Sequence, residues 1–193
     1  VRRTNTSQSF AGVRFQYSTN NTANSLRSDY DYQSAVIVQS SDSSINSSRM
    51  SNFLRAAVEI MHSTDCYANG LDITGVPTSQ YGVKALSSNG ALVYLSNIAG
   101  VGTGVRMDSC DGAGAYGNTV SNTRTAGIIL SSCPNAVVSG NELSNASTVI
   151  TNFADTGRRE YGPAILLESS SDDSVVTDNQ INGSFMYGII VQG

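Results

Sequence analysis

Two carboxylates, Asp108 and Glu168, and two cations, Lys84 and Arg106, are the residues of this 193-residue chain whose types could do chemistry together. A pair of carboxyl groups about 6.5–9.5 Å apart can protonate a leaving oxygen with one member and activate water with the other, as in inverting hydrolysis of a glycosidic bond. Adjacent cations suit a different reaction: they hold a substrate carboxylate while a base removes the neighbouring proton, which is elimination. Asp108 and Glu168 stand 60 residues apart in sequence, Lys84 and Arg106 22 apart. Neither pair means anything unless the chain returns to the same place at regular intervals.

It does return. A small residue followed by an aliphatic, an outward residue, another apolar and a small polar pair begins at Gly12, Ala35, Ala57, Gly82, Gly104, Gly127, Ala164 and Gly188. The intervals are 23, 22, 25, 22, 23, 37 and 24 residues, and such self-similarity marks a stacked-repeat architecture. Each unit carries a second signature, seen in "AVVSGNELSN" (136–145) and "SVVTDNQING" (174–183). Its aliphatics Met50, Ile73, Ile98, Val120, Leu143 and Ile181 share one register; two residues later stand only Asn or Gly, at Asn52, Gly75, Gly100, Asn122, Asn145 and Gly183. That slot predicts turns in left-handed backbone geometry.

Period-2 alternation within a unit of about 22 residues predicts three short strands joined by tight turns, with no room for a crossover helix. Like strands of successive units then pair in parallel about 4.8 Å apart. The leucine-rich repeat, the main rival, is set aside because its Leu-x-x-Leu-x-Leu spacing is missing. The expected fold is all-β, a single-stranded solenoid of about eight coils, with 1–193 as one domain and residues 147–163 as a loop insertion. Both ends read as uncapped, so the expectation is a segment of a longer chain, or an end covered by another subunit or domain.

On these repeats and their "VVSGN.LSN" turns, the chain resembles the right-handed parallel β-helix of the pectate-lyase-like superfamily. Within it, the likeness is to the β-helix segment of a phage tailspike or polysaccharide depolymerase. The resemblance implies that the outward face of the first strand of each coil is a sugar groove. One outward column there reads Arg14, Ile37, Glu59, Lys84, Arg106, Ile129, Leu166 and Ile190. The next reads Gln16, Gln39, Met61, Leu86, Asp108, Ser131, Glu168 and Gln192. Asp108 and Glu168 thus fall two coils apart, backbones roughly 9–10 Å from each other, and are the candidate catalytic pair. Glu59, Lys84 and Arg106 form a charged ladder, read as carbohydrate-binding or as ordinary surface ion pairs. Ile129, Leu166 and Ile190 make an apolar stripe, the candidate oligomer interface.

The long interval contains "STVITNFADTGRREYGP", a break in the repeat that gathers Asp155, Arg158, Arg159 and Tyr161. Loops on regular scaffolds often carry binding, with tyrosine to stack on a ring and arginine to grip acidic groups. "GVPTSQ" at 75–80 reads as a turn. His62 is assigned to the inward Ser column as a partly buried core residue. Cys66, Cys110 and Cys133 read as small buried groups with free thiols, since they show no zinc-ligand spacing. The clustered aspartates that give pectate lyases their calcium site have no counterpart here, so neither metal nor cofactor is expected.

The chain has 39% hydrophobic and 13% charged residues, one Lys, no Trp and a formal charge of -4. Its polarity comes from Ser, Thr, Asn and Gly. A mildly acidic chain without basic clusters or an 18-residue apolar run points away from nucleic acid and membranes as partners. The resemblance implies a tailspike-like protein that binds bacterial surface polysaccharide, with its cleavage left open, trimeric, on a virion tail or extracellular. The alternatives are a secreted polysaccharide lyase or glycoside hydrolase of the same fold, and a non-catalytic adhesive or structural β-helix.

Overall fold

The computed structural model describes residues 5–145, 151–152, 159–160, 162–183 and 187–192. Among these the regular structure is strand throughout. Each coil begins with a strand of up to six residues, such as Thr103–Asp108, followed by two strands of three, here Gly114–Tyr116 and Thr119–Ser121. Like strands pair in parallel into three sheets: sheet I has eight long strands, sheet II seven short ones and sheet III eight short ones. The chain therefore completes about seven turns.

Alternation decides what goes inside. In sheet I one interior row runs Val13, Ala35, Val58, Val83, Val105, Ile128 and Ile165, and its last member, Ile189, is 48% exposed. Sheet III contributes Met50, Ile73, Ile98, Val120, Leu143 and Ile181. These rows make one continuous core along the rod. The small slot before each sheet I row has a packing cause. A Cβ on Gly104 or Gly127 would collide with Val120 or Leu143 of sheet III, and would lie 2.6 or 2.7 Å from the carbonyl oxygen of Gly127 or Ala164 in the next coil.

Turn geometry repeats as strictly as the strands. One coil passes through the left-handed region at Ser109, Gly112, Gly117 and Asn122, with φ of 55, 63, 58 and 52°. The Asn/Gly slot behaves as expected at Asn52, Gly100, Asn122, Asn145 and Gly183. Gly75 is the exception: there the chain enters the 75–80 turn instead. Arg124 closes that turn, donating to the carbonyls of Val76 (3.4 Å), Gly100 (3.2 Å) and Ser79, and burial lowers its pKa.

After Gln39, His62, Ser87, Ser109 and Ser132, the left-handed residues that end sheet I strands, the next side chain bends inward; after Glu168 two residues, Ser169 and Ser170, are left-handed and Ser171 takes that place. There it accepts from the backbone N–H one coil earlier, as in Ser40 N to Ser63 Oγ (3.3 Å) and Ser63 N to Ser88 Oγ (3.2 Å). Cys110 and Cys133 continue this ladder, Ser88 N reaching Cys110 Sγ at 3.4 Å and Cys110 N reaching Cys133 Sγ at 3.4 Å. The thiols do the work of serine hydroxyls. All three cysteines are buried and free.

Their burial has a pH consequence. Desolvation pushes the Cys66 thiol above its ordinary 9.0. The folded state therefore holds this proton more tightly than the unfolded one. The stabilisation is fully present below the unfolded thiol pKa and is lost as pH rises through the folded value. Cys66→Ser, which copies Ser43 in the preceding coil, should lose less urea resistance than the parent between about pH 8 and about pH 10. Equal losses would refute this. The hydrogen bond between Cys110 and Cys133 raises the former and lowers the latter, which makes Cys66 the cleaner probe.

Candidate functional site

The register of sheet I fixes its outward columns. The first reads Arg14, Val36, Glu59, Lys84, Arg106, Ile129, Leu166 and Ile190. The second reads Gln16, Val38, Met61, Leu86, Asp108, Ser131, Glu168 and Gln192. Ile37, expected in the outward column, instead faces the core and is fully buried. The second coil therefore starts at Ser34, one residue earlier than the sequence pattern suggests, and Val36 and Val38 take the outward positions.

Most of this face is closed. Glu59 is 0% exposed although its strand position points outward. Its carboxylate accepts from Arg55 Nη2 at 2.7 Å and from Gln33 Nε2. Arg55 is in turn hydrogen-bonded to Tyr32, whose ring stacks on Phe10 at 5.1 Å. The expected exposed Glu59–Lys84–Arg106 ladder is thus cut at its first member, because the carboxylate is taken by partners from the preceding turns. At the other end Ile129 and Leu166, each 3% exposed, form an apolar cluster with Ala126, and Ile190 packs against it. The stripe expected to meet another subunit is enclosed within the chain at Ile129 and Leu166.

Between these closed ends lies an open strip on the fourth and fifth strands. Lys84 Nζ sits 5.1 Å from the centre of the Tyr81 ring, a cation–π distance. Arg106 Nε reaches both Asp108 oxygens, at 3.0 and 2.9 Å, and its Nη2 lies 2.9 Å from Asp108 Oδ1 and 3.8 Å from Glu168 Oε1. Asp108 and Glu168 share one column, with Ser131 on the rung between them. One guanidinium therefore lies between the two carboxylates. The hydrogen bond that Arg106 donates to Asp108 outweighs burial and raises the Arg106 pKa. Asp108 is held by paired bonds and Glu168 by one longer contact, so Glu168 is the freer of the two.

Other sequence candidates lie elsewhere. Asp155, Arg158 and Tyr161 fall outside the described residues. Arg159 belongs to a short antiparallel pair in which Asn152 faces it and Thr151 faces Glu160. His62 is exposed in a left-handed turn (φ 50°), not buried in the Ser ladder; its neighbour Ser63 fills that slot. Tyr81 and Ser131 were not singled out from sequence, since neither stands out without the stacking register. Among the described residues no group of His, Cys, Asp and Glu is placed to hold a metal ion.

The family model of the right-handed β-helix region matches residues 34–193. The chain belongs to the right-handed β-helix family. No curated protein sequence matches this β-helix. Among solved structures it is similar to the A-module of a mannuronan C-5 epimerase from Azotobacter vinelandii, with TM-score 0.68, 14% identity, and coverage of 96% of this chain and 56% of that one. It also resembles PfbA, a surface adhesin of Streptococcus pneumoniae, with TM-score 0.61, 9% identity and coverage of 91% and 59%. A tailspike protein of an E. coli bacteriophage gives TM-score 0.62, 14% identity and coverage of 94% and 37%. At these identities the likeness is one of fold. The β-helix spans little more than half of the first two of these chains.

Proposed function

We propose that this β-helix binds a polysaccharide across the open strip of sheet I, with Lys84, Tyr81, Arg106, Asp108, Ser131 and Glu168 as the contacting surface. The carrying observation is that the first outward column of sheet I is enclosed at Glu59 and at Ile129–Leu166, while Lys84 and Arg106 between them, and Asp108, Ser131 and Glu168 in the column beside them, stay half-buried and reachable. A chain of hydroxyl-rich rings suits a floor of alternating donors and acceptors, and the name of the similar mannuronan epimerase favours the same class of partner. Bacterial surface polysaccharide, a tailspike-like role, and a place on a virion or outside the cell belong to this proposal. A homotrimer does too, although the enclosure of Ile129 and Leu166 takes away its sequence support.

Cleavage is the second reading, favoured by the Asp108–Ser131–Glu168 column. Two rungs of about 4.8 Å each place the backbones near the separation an inverting hydrolase needs. Arg106 fixes Asp108 in place with paired bonds, which suits it to orient an attacking water as base. Glu168 is the member suited to protonate a leaving oxygen.

The test incubates the protein with bacterial capsular polysaccharide and lipopolysaccharide O-chains. Retention is measured, along with new reducing ends and the ultraviolet absorbance of an unsaturated elimination product. Lys84→Ala and Arg106→Gln should each weaken binding about tenfold, the loss of one charged hydrogen-bonding contact. If reducing ends appear, Glu168→Gln should abolish them and keep binding. Retention unchanged in Lys84→Ala/Arg106→Gln would sink the sheet I reading. Binding without product in the parent would leave an adhesive β-helix.

A further inference from the structure

A different surface appears on sheet II. Its first rungs are polar outside, where Asn46 donates to Asn24 (3.3 Å) and to Ser44 (3.0 Å). The middle rungs carry Tyr67, Leu92, Tyr94 and Tyr116 instead. Tyr67 stands beside Leu92, and Tyr94 beside Tyr116. The rings of Tyr67 and Tyr94 lie 5.8 Å apart at 36°. Leu92, Tyr94, Leu95, Tyr116 and Gly117 line a recess of about 480 Å³, inside the size range of small-molecule sites. The lining carries no charge.

The recess is built by its glycines. A Cβ on Gly114 would collide with the Tyr116 ring, so that ring lies over bare backbone of its own strand. A Cβ on Gly117 would press on Leu95 Cδ2 at 3.2 Å. Leu95 itself sits in the left-handed region (φ 50°) while 68% exposed. The same turn slot holds Ser25, Ser47, Gly70, Gly117, Gly140 and Asp178 in other coils. A leucine there is poorly suited to the backbone and largely unburied by the chain. Strain kept without a folding benefit points to a ligand.

The size of the patch decides between occupants. Three rungs by one three-residue strand cover on the order of 100 Å²; the Tyr94 column is closed by Asn69 on the Tyr67 strand and by Ser139 on the next rung, and the Leu92 column passes through Gly114 to the smaller Val137 and Val175. A stable protein interface needs about 800 Å² from each partner. One sugar ring fits: its C–H face lies on the aromatic rings and its hydroxyls meet tyrosine O–H groups at the rim. Burial, then Tyr67, raises the Tyr94 phenol, so it stays a protonated donor at neutral pH. We infer that this tyrosine recess is a second glycan subsite, separate from sheet I, that takes one neutral pyranose ring. The inference rests on the reading that the chain binds glycan but uses none of the sheet I residues.

The test titrates the whole chain with maltohexaose, cellohexaose and xylohexaose. Binding is read by saturation transfer to sugar C–H protons and by emission, which in a Trp-free chain reports tyrosine. At least one hexaose should saturate in the millimolar range. Tyr94→Ala and Tyr116→Ala should each weaken it about tenfold, as loss of a stacking contact would. Gly114→Ala, which keeps every ring but displaces Tyr116, should weaken it as well, while Arg27→Gln, on sheet III and outside both surfaces, should leave it unchanged. Melting curves check that each variant is folded. No transfer from any of the three sugars, or binding that survives the Tyr94→Ala/Tyr116→Ala double variant, overturns the inference. So does self-association that Leu95→Ser abolishes. If polysaccharide retention depends on Arg106 while the hexaoses never engage tyrosine, the sheet I reading stands and this one falls.

Discussion

Arg55→Met should destabilise the protein by about 3 kcal/mol, the lower end of the range for removing one partner of a buried ion pair. Glu59 is fully enclosed, and among the described residues Arg55 is the one cation paired with it, at 2.7 Å. Without it the carboxylate keeps only the Gln33 amide, a neutral donor in surroundings that water hardly reaches. The low end applies because 36% of the Arg55 side chain is exposed, so truncation opens a path for solvent to Glu59. For a chain of this size about 3 kcal/mol corresponds to a fall in Tm of roughly 6–12 °C. Glu59→Gln should cost less, since the arginine it releases can turn to water. Arg55→Met/Glu59→Met should recover much of the loss, because two apolar side chains of similar bulk leave no orphaned charge. Urea midpoints of the parent, Arg55→Met, Glu59→Met and the double variant complete the cycle. A double variant as unstable as Arg55→Met alone would show that the cost was packing, not charge.

This pair also marks where sequence reading stopped. The stacked-strand architecture was legible because the evidence for it is local and repeated: small slot, alternation and left-handed turn residues recur in each coil. The register was legible wherever one face of a strand differs from the other. It failed by one residue in the second coil, because Gln33–Val38 is buried on both faces and Ser34, Ala35, Val36 and Ile37 satisfy either phase. His62 was misplaced for a related reason. Its slot holds Tyr17, Gln39, Ser87 and Ser109 in other coils, all left-handed, and the sequence alone does not separate that turn position from the inward Ser beside it.

What covers an outward face is a long-range fact. Nothing in "AAVEIM" says that Arg55 and Gln33 enclose Glu59, and nothing in "AGIILS" says that Ile129 is hidden. The charged residues of the open strip could be named from periodicity; their pairing through Arg106 could not. A column assigns side chains to neighbouring rungs, and only coordinates show that one guanidinium lies between Asp108 and Glu168.

Asn141→Leu should be the most damaging single change in the turns, at about 3–5 kcal/mol. Each buried group left without its partner costs about 1–3 kcal/mol. Asn141 Oδ1 accepts from the Asn118 backbone N–H and from Asn118 Nδ2, both at 2.9 Å. Its own Nδ2 donates to Ala115 O at 2.9 Å and to Asn179 Oδ1 at 2.8 Å. Leucine matches the volume but abandons the Asn118 donors and the Ala115 carbonyl inside the rod. Asn141→Ser should cost about 1–2 kcal/mol, because serine still accepts from the Asn118 N–H and gives up the bond to the Ala115 carbonyl. The same ladder slot is served by serine in an earlier coil, where Ser96 Oγ accepts from Leu71 N at 3.1 Å and donates to Tyr94 O at 3.0 Å. The ranking Leu far worse than Ser, read from urea midpoints, separates polar satisfaction from volume. Equal losses for both would mean that the ladder holds its place by packing alone, and the hydrogen-bonding account of these turns would fail.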